Sequence, residues 1–215
     1  MSDLSAGPPW PTLPASTWSD ALDRLRIPGV ASGLTWRSGA PPIAGRAVTV
    51  RETVAELGAH PASAFDVGSV LASLGRGDVL VVDMGGAVVS SFGGLAARAA
   101  ARQAVAGVIV DGGCRDLDEI RASGVKVCSR HVTPISGRER VRIEAIGVPI
   151  ACGGIPVSPG DFVAADHTGV VVIPSARFDE ALAIARELDL RDRAFVQALD
   201  AGETFSAAAR SLGHL

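Results

Sequence analysis

Two short apolar runs, each followed by a pair of glycines, constrain this chain more than any other feature. Val79-Leu80-Val81-Val82-Asp83 leads to Gly85-Gly86, and Val108-Ile109-Val110-Asp111 leads to Gly112-Gly113. Unbroken aliphatic runs of this length read as strands buried on both faces. Each glycine pair is expected to end its strand in an open turn. Between the runs, Leu95–Val105 (LAARAAARQAV) has strong helical propensity. After the second run come a short predicted helix, Asp116–Ser123, and a third strand, Val125–Cys128. Strand–helix–strand–helix–strand at this spacing describes an α/β layered domain.

The flanks add less. Met1–Pro14, rich in Pro, Ser and Gly, reads as a loose N-terminal arm, with a single domain over residues 16–215. Ser16-Thr17 announces a helix that stops at Pro28-Gly29. Arg46–Arg51 alternates as a strand, and Ala64–Ala72 reads as a short helix. Downstream, Arg140–Ile143 and Val170–Ile173 read as strands, and Pro159-Gly160-Asp161 as a turn. Ser175–Ala209 is helical and charged. Asp83 and Asp166 are expected to cap strand ends.

Charge and cysteine usage exclude several classes. With 20 basic and 23 acidic residues the formal net charge is −3, which argues against a nucleic-acid partner. Met84–Ala97 is uncharged but broken by Gly and Ser, so no membrane span is expected. The N-terminus lacks the basic-then-apolar pattern of a signal peptide. Cys114, Cys128 and Cys152 make neither a disulfide framework nor a zinc cluster, and a reducing cytoplasm is the simplest setting. Lys126 is the only lysine, so a Schiff-base mechanism has one candidate, inside a predicted strand with no partner nearby. His60, His167 and His214 lack metal-ligand spacing. Cys114 reads as a packed small residue beside Arg115.

The chemistry concentrates in Asp111–Glu119, where a buried strand ends in glycines and Arg115-Asp116 open a helix. Strand C-termini in α/β folds are common places for sites. An Arg there grips a carboxylate with its two-pronged guanidinium. An Asp beside it holds a hard divalent ion that keeps most of its waters. A structural reading stands next to this one: Asp116 caps the helix, and Arg115 pairs with Asp118 or Glu119. Phe92-Gly93-Gly94-Leu95-Ala96 opens the alanine-rich helix, where free N–H groups favour an anion. It is neither a dinucleotide fingerprint nor a P-loop.

Taken in order, these segments resemble the RraA-like family. The likeness runs through Val81-Val82-Asp83, Gly93-Gly94-Leu95-Ala96, Gly107–Gly112, Arg115-Asp116 with Glu119-Ile120-Arg121, Gly124-Val125 and Thr133-Pro134. The flanking Ala47–Arg51, Pro159-Gly160-Asp161 and Gly169–Pro174 agree, so the likeness covers roughly residues 16–205. That family includes class II pyruvate aldolases acting on 4-hydroxy-4-methyl-2-oxoglutarate.

The resemblance implies a three-layer β/β/α domain of the swivelling type, assembled as a homotrimer or homohexamer with sites between subunits. It implies that Arg115 and the backbone of Gly93, Gly94, Leu95 and Ala96 bind the pyruvyl group of a 2-oxo acid. It implies that Asp116 is the direct ligand of Mg²⁺ or Mn²⁺, acting as a Lewis acid on the 2-oxo oxygen. The implied activity is a lyase that releases pyruvate through a metal-stabilised enolate, by aldol cleavage, by oxaloacetate decarboxylation, or by both. Family aldolases often carry Asp or Glu where this chain has Gly94, and decarboxylation needs less of the proton machinery that acid serves. His131 stands where the family more often has Gly, and Glu187 matches a carboxylate that a neighbouring subunit lends in some members. The family also contains inhibitors of an RNA-processing ribonuclease. A non-catalytic regulator acting by protein contact is therefore the alternative.

Overall fold

The layering follows from how each central strand divides its side chains. In the computed structural model, which describes residues 10–212, strands and helices follow in chain order. Helix α1 (Ala15–Arg24) precedes β1 (Val30–Ala31), β2 (Thr35–Ser38) and the twelve-residue β3 (Ile43–Val54). Then come α2 (Val67–Ala72), β4 (Asp78–Asp83), β5 (Ser90–Phe92), α3 (Gly94–Arg102), β6 (Gly107–Cys114), α4 (Leu117–Ser123) and β7 (Val127–Val132). The chain continues through β8 (Val141–Ile146), β9 (Ile150–Cys152), β10 (Ile155–Val157), β11 (Phe162–Ala165) and β12 (Val170–Ile173). Helices α5 (Phe178–Asp200) and α6 (Phe205–Leu212) close it.

The main sheet runs β1-β12-β11-β3-β4-β6-β7-β2, with β5 added to β6 and β8 to β3. The centre, β3-β4-β6-β7, is parallel; β11 and β2 flank it antiparallel, and β12 pairs antiparallel with β11. Side chains alternate across it, as a strand requires. Leu80, Val82, Val108 and Val110 meet Val70, Ala97, Ala100 and Ile120 from the helices α2, α3 and α4. Val79, Val81 and Ile109 face the other way, onto Ile150, Cys152, Ile155 and Val157 of the β9-β10 hairpin and onto Val163 and Val172. This is the β/β/α layering that the resemblance implies. A third apolar cluster packs α1 and α5 on β11 and β12 around Trp18, which is fully buried.

Three expectations change. Residues 10–15 are not loose: the Trp10 ring lies 5.5 Å from Phe162 and 5.7 Å from Phe178, with the Arg46 guanidinium 4.8 Å over it. Leu13 packs on the same cluster, and Ala15 already belongs to α1. Met1–Pro9 of the expected arm, and His214, lie outside the described residues. Second, Gly112-Gly113 do not end their strand; β6 runs through them to Cys114, buried along its length. The glycines serve close approach instead. A Cβ on Gly113 would stand 2.5 Å from the Val89 carbonyl oxygen, and one on Gly112 would stand 2.8 Å from Met84 Cβ. Third, Lys126 precedes β7 and has a partner: its ammonium donates to the Pro42 carbonyl at 2.6 Å, and burial lowers its pKa.

Candidate active site

Strand β6 ends at Cys114, and the next residue is fixed by its neighbour: the Arg115 N–H donates to the Phe92 carbonyl of β5 at 3.0 Å. The chain then turns sharply. Asp116 adopts left-handed backbone angles (φ 53°, ψ 49°) and begins α4 without a side-chain cap. Asp and Asn tolerate this region better than other side-chain-bearing residues. Of the two readings of Asp116, helix capping by its side chain therefore falls away.

The carboxylate goes elsewhere. Asp116 Oδ2 accepts from the Gly94 N–H at 3.2 Å and lies 3.4 Å from Arg115 Nε. The Gly94 amide is one of the unpaired donors at the start of α3, so the acid and that helix end are matched. Asp118 pairs with Arg121 at 3.7 Å, which leaves Asp116 as the carboxylate beside Arg115. Both glycines give the neighbouring side chains close approach, Gly94 more tightly than Gly93. A Cβ on Gly93 would lie 2.8 Å from Asp116 Oδ2, and one on Gly94 would lie 2.6 Å from Glu119 Cβ.

Arg115 and Asp116 are about two-fifths exposed and line a cavity of about 260 Å³. Its walls bring together Gly93, Leu95 and Ala96, and add Phe65, Ser91 and Ser136, which the sequence did not suggest. Gly94 contributes its N–H from behind the wall rather than a surface. The donor set suits a hard ion. Asp116 offers one carboxylate, Glu119 stands across Gly94, and among the described residues no group of three or more His, Cys, Asp and Glu converges. A single carboxylate is what a hard, largely hydrated divalent ion takes from a protein, and the described residues there do not supply the closed His and Cys shell of structural zinc.

Other candidates lie apart. His131 Nε2 is 3.1 Å from the Gly86 carbonyl. Glu187 accepts from Arg24 of the same chain at 3.1 Å, on the α1 face of α5. Cys114 is fully buried with its sulfur 3.3 Å from Ser129 Oγ. His167 stacks edge-on with Trp36, and His60 Nε2 is buried without a partner. Asp83, at the end of β4, accepts from Gly85 and Ala151 N–H groups, and Asp166, just after β11, from Ala15 and Thr168, so both cap strand ends as expected. Asp111, buried on β6, binds Arg130 at 2.5 Å and accepts from the Gly153 N–H of the β9-β10 turn at 2.7 Å.

One titratable group near the cavity escaped the sequence reading. Glu52 on β3 is 8 % exposed, and burial pushes its carboxyl up to about 7. A signal for it existed: strand alternation puts Val48, Val50, Glu52 and Val54 on one face, and an acid breaks that apolar row.

The fold and the site together define a three-layer β/β/α domain with an Arg-Asp cleft at the end of its central strands. The chain belongs to the RraA-like family: the Aldolase/RraA family model matches residues 15–172. It is 30% identical over 189 residues to a protein of Halalkalibacterium halodurans provisionally named a 4-hydroxy-4-methyl-2-oxoglutarate aldolase, covering 87% of this chain and 85% of that one. Among solved structures, an uncharacterized protein from Pseudomonas syringae superposes with a TM-score of 0.82 at 26% identity, covering 91% and 92% of the two chains. Streptomyces coelicolor RraAS2, an unusual member of the RNase ES inhibitor RraA family, gives a TM-score of 0.74 at 28% identity, over 89% and 92%.

Proposed function

We propose that the protein is a divalent-metal-dependent carbon–carbon lyase that releases pyruvate from a 2-oxo dicarboxylic acid, by cleavage of 4-hydroxy-4-methyl-2-oxoglutarate, by decarboxylation of oxaloacetate, or by both. The observation that carries this reading is the Asp116 carboxylate held between the Gly94 N–H and Arg115 at the mouth of the cavity. The guanidinium of Arg115 binds the substrate carboxylate, and its fixed charge favours the enolate that forms as the carbon–carbon bond breaks. Free N–H groups at the start of α3 complete the anion cradle. Asp116 would hold Mg²⁺ or Mn²⁺, with waters in most of the other positions. The chemistry such an ion would supply there is Lewis-acid polarisation of the 2-oxo oxygen. The names carried by relatives support the aldolase arm. On this reading the protein works in the cytoplasm as a homotrimer or homohexamer, with no nucleic-acid partner; among the described residues no helix is long and apolar enough to cross a membrane.

Pyruvate release from each substrate, with Mg²⁺ and with excess EDTA, tests the proposal. Release that disappears with EDTA and in Asp116→Asn supports it. Release from neither substrate refutes it. The likeness to RraAS2 favours a second reading, a regulator of ribonuclease activity by protein contact. That role would survive loss of Arg115 and Asp116.

A further inference from the structure

Strand β3 delivers an acid to the back wall of the proposed active site. Glu52 Oε1 accepts from Ser91 Oγ at 2.8 Å, and Glu52 Oε2 is buried with no hydrogen-bond partner. Ser91 is shared between two voids. On one side it lines the cavity that holds Arg115 and Asp116, and on the other a void of about 10 Å³ beside Glu52. The remaining walls of that inner void are apolar: Val67, Val70 and Leu71 from α2, Leu80 and Val82 from β4, and Phe92 from β5. Only the Ser91 hydroxyl connects the carboxyl of Glu52 to the cavity by a hydrogen bond among the described residues.

Charged groups on the surrounding elements are engaged elsewhere. Asp83 on β4 accepts from Gly85 and Ala151, and Asp66 at the start of α2 accepts from Ser69. Arg142 of β8 pairs with Glu144, which also accepts from Thr53. On β3 itself Arg51 donates to the Pro149 carbonyl. Burial therefore sets the behaviour of Glu52, opposed only by the Ser91 hydrogen bond, and holds it at about 7. A general acid or base is most effective when poised in that range.

Among the described residues that line the cavity, the one carboxylate is Asp116, which the lyase reading gives to the metal. Gly94, at the start of α3, has no room for another: a Cβ there would stand 2.6 Å from Glu119 Cβ. We propose that Ser91 and Glu52 form the proton relay of this site, Ser91 touching the substrate and Glu52 acting through it. The inference rests on the lyase reading above.

For aldol cleavage, the substrate C4 hydroxyl passes its proton to Ser91 Oγ as Ser91 passes its own to Glu52 Oε1. The C3–C4 bond breaks, its electron pair forms the enolate of pyruvate, and the C4 oxygen becomes a carbonyl. The proton then returns from Glu52 through Ser91 to C3, giving pyruvate and leaving Glu52 ionised as at the start. For decarboxylation, Glu52 begins protonated and gives its proton through Ser91 to C3 after carbon dioxide leaves. Solvent then recharges it. One group therefore produces opposite limbs: kcat rises with pH through about 7 for aldol cleavage and falls through about 7 for decarboxylation.

The test compares wild type, Glu52→Gln, Ser91→Ala and Ser91→Thr, all Mg²⁺-loaded, with oxaloacetate and 4-hydroxy-4-methyl-2-oxoglutarate as substrates. Glu52→Gln keeps the shape and the Ser91 partner. It should lose kcat about 100-fold with KM within about threefold, and lose the pH limb. Oxalate, a mimic of the pyruvate enolate, should bind it as it binds wild type, reporting an intact site. Ser91→Ala should show the same loss, and Ser91→Thr should recover most of it. Independently of turnover, ¹³C NMR of glutamate-labelled, metal-free protein should show a carboxyl titrating near 7 that is missing in Glu52→Gln. Wild-type kcat and limb in Glu52→Gln, or in Ser91→Ala should Glu52→Gln not fold, overturn the relay and leave the lyase reading standing. Titration of Glu52 in the ordinary carboxylate range overturns it also. A wild-type protein that releases no pyruvate sinks the lyase reading and the relay with it.

Discussion

The carboxylate of Asp116 and the backbone N–H of Gly94 meet at 3.2 Å although the residues stand 22 apart in the chain. Their bond joins the end of β6 to the start of α3, and Arg115 is brought to the same point by its own link to Phe92. Three consequences for substitution follow from that junction and its surroundings.

Asp116→Asn keeps the left-handed backbone and the bond to Gly94 but removes the charge. Its thermal midpoint should stay within a few degrees of wild type, while EDTA-sensitive turnover falls at least about 100-fold. Asp116→Ala should lose the same activity and also stability, by about 1 kcal/mol, because alanine gives up the bond to Gly94 and tolerates the left-handed region less well than aspartate. Arg115→Lys retains charge without the two-pronged geometry, so KM for the oxo acid should rise steeply. Steady-state kinetics beside thermal melts separate these effects.

Gly94→Ala forces a β-carbon to 2.6 Å from Glu119 Cβ, an atom attached directly to the α4 backbone and unable to swing aside. Overpacking of this kind costs about 1–3 kcal/mol, which exceeds the roughly 1 kcal/mol that alanine gains over glycine in a helix. Denaturant melts should show a less stable variant, and adding Glu119→Gly should return most of the loss. Gly94→Asp alone should not raise aldol activity.

How much of this was legible beforehand depends on distance along the chain. The three central strands, the alanine-rich helix and the Arg115-Asp116 pair were legible because each is a local pattern of apolar runs, glycine and propensity. The C-terminal helical segment was legible on the same ground, as α5 and α6. Glu52 and Ser91 lie 39 residues apart, and nothing local marks their contact. Gly112-Gly113 misled because a glycine pair signals a turn and a close strand crossing equally well; the deciding atom, the Val89 carbonyl, belongs to another segment. Trp10 misled for a similar reason, since its partners Phe162 and Phe178 come late in the chain.

Glu52 also makes stability depend on pH. Unfolded, its carboxyl ionises near 4.5, and in the fold near 7. Between those values the folded form holds a proton that the unfolded form has released. Its contribution is therefore fully favourable below about 4.5 and is lost as pH rises through about 7, by about 3 kcal/mol in total. Urea melts of wild type and Glu52→Gln at pH 5 and pH 8 should show the variant gaining on wild type by that order at the higher pH.

The cysteines should be silent in the folded protein. All three are buried, and burial pushes the Cys128 thiol up to about 12 and that of Cys152 upward as well. A thiol-reactive dye should label none of them natively and all three in guanidinium.

The four parallel strands at the centre have a kinetic consequence. None of the pairs β3-β4, β4-β6 and β6-β7 can form as a hairpin, because each must wait for an intervening helix to carry the chain back across the sheet. Pairing within that centre therefore waits on longer loop closures than the β9-β10 hairpin needs, and refolding should take on the order of milliseconds to seconds rather than microseconds. During that interval the aliphatic edges of β4 and β6 stand open to other chains, so the yield of refolding should fall with protein concentration long before equilibrium stability does.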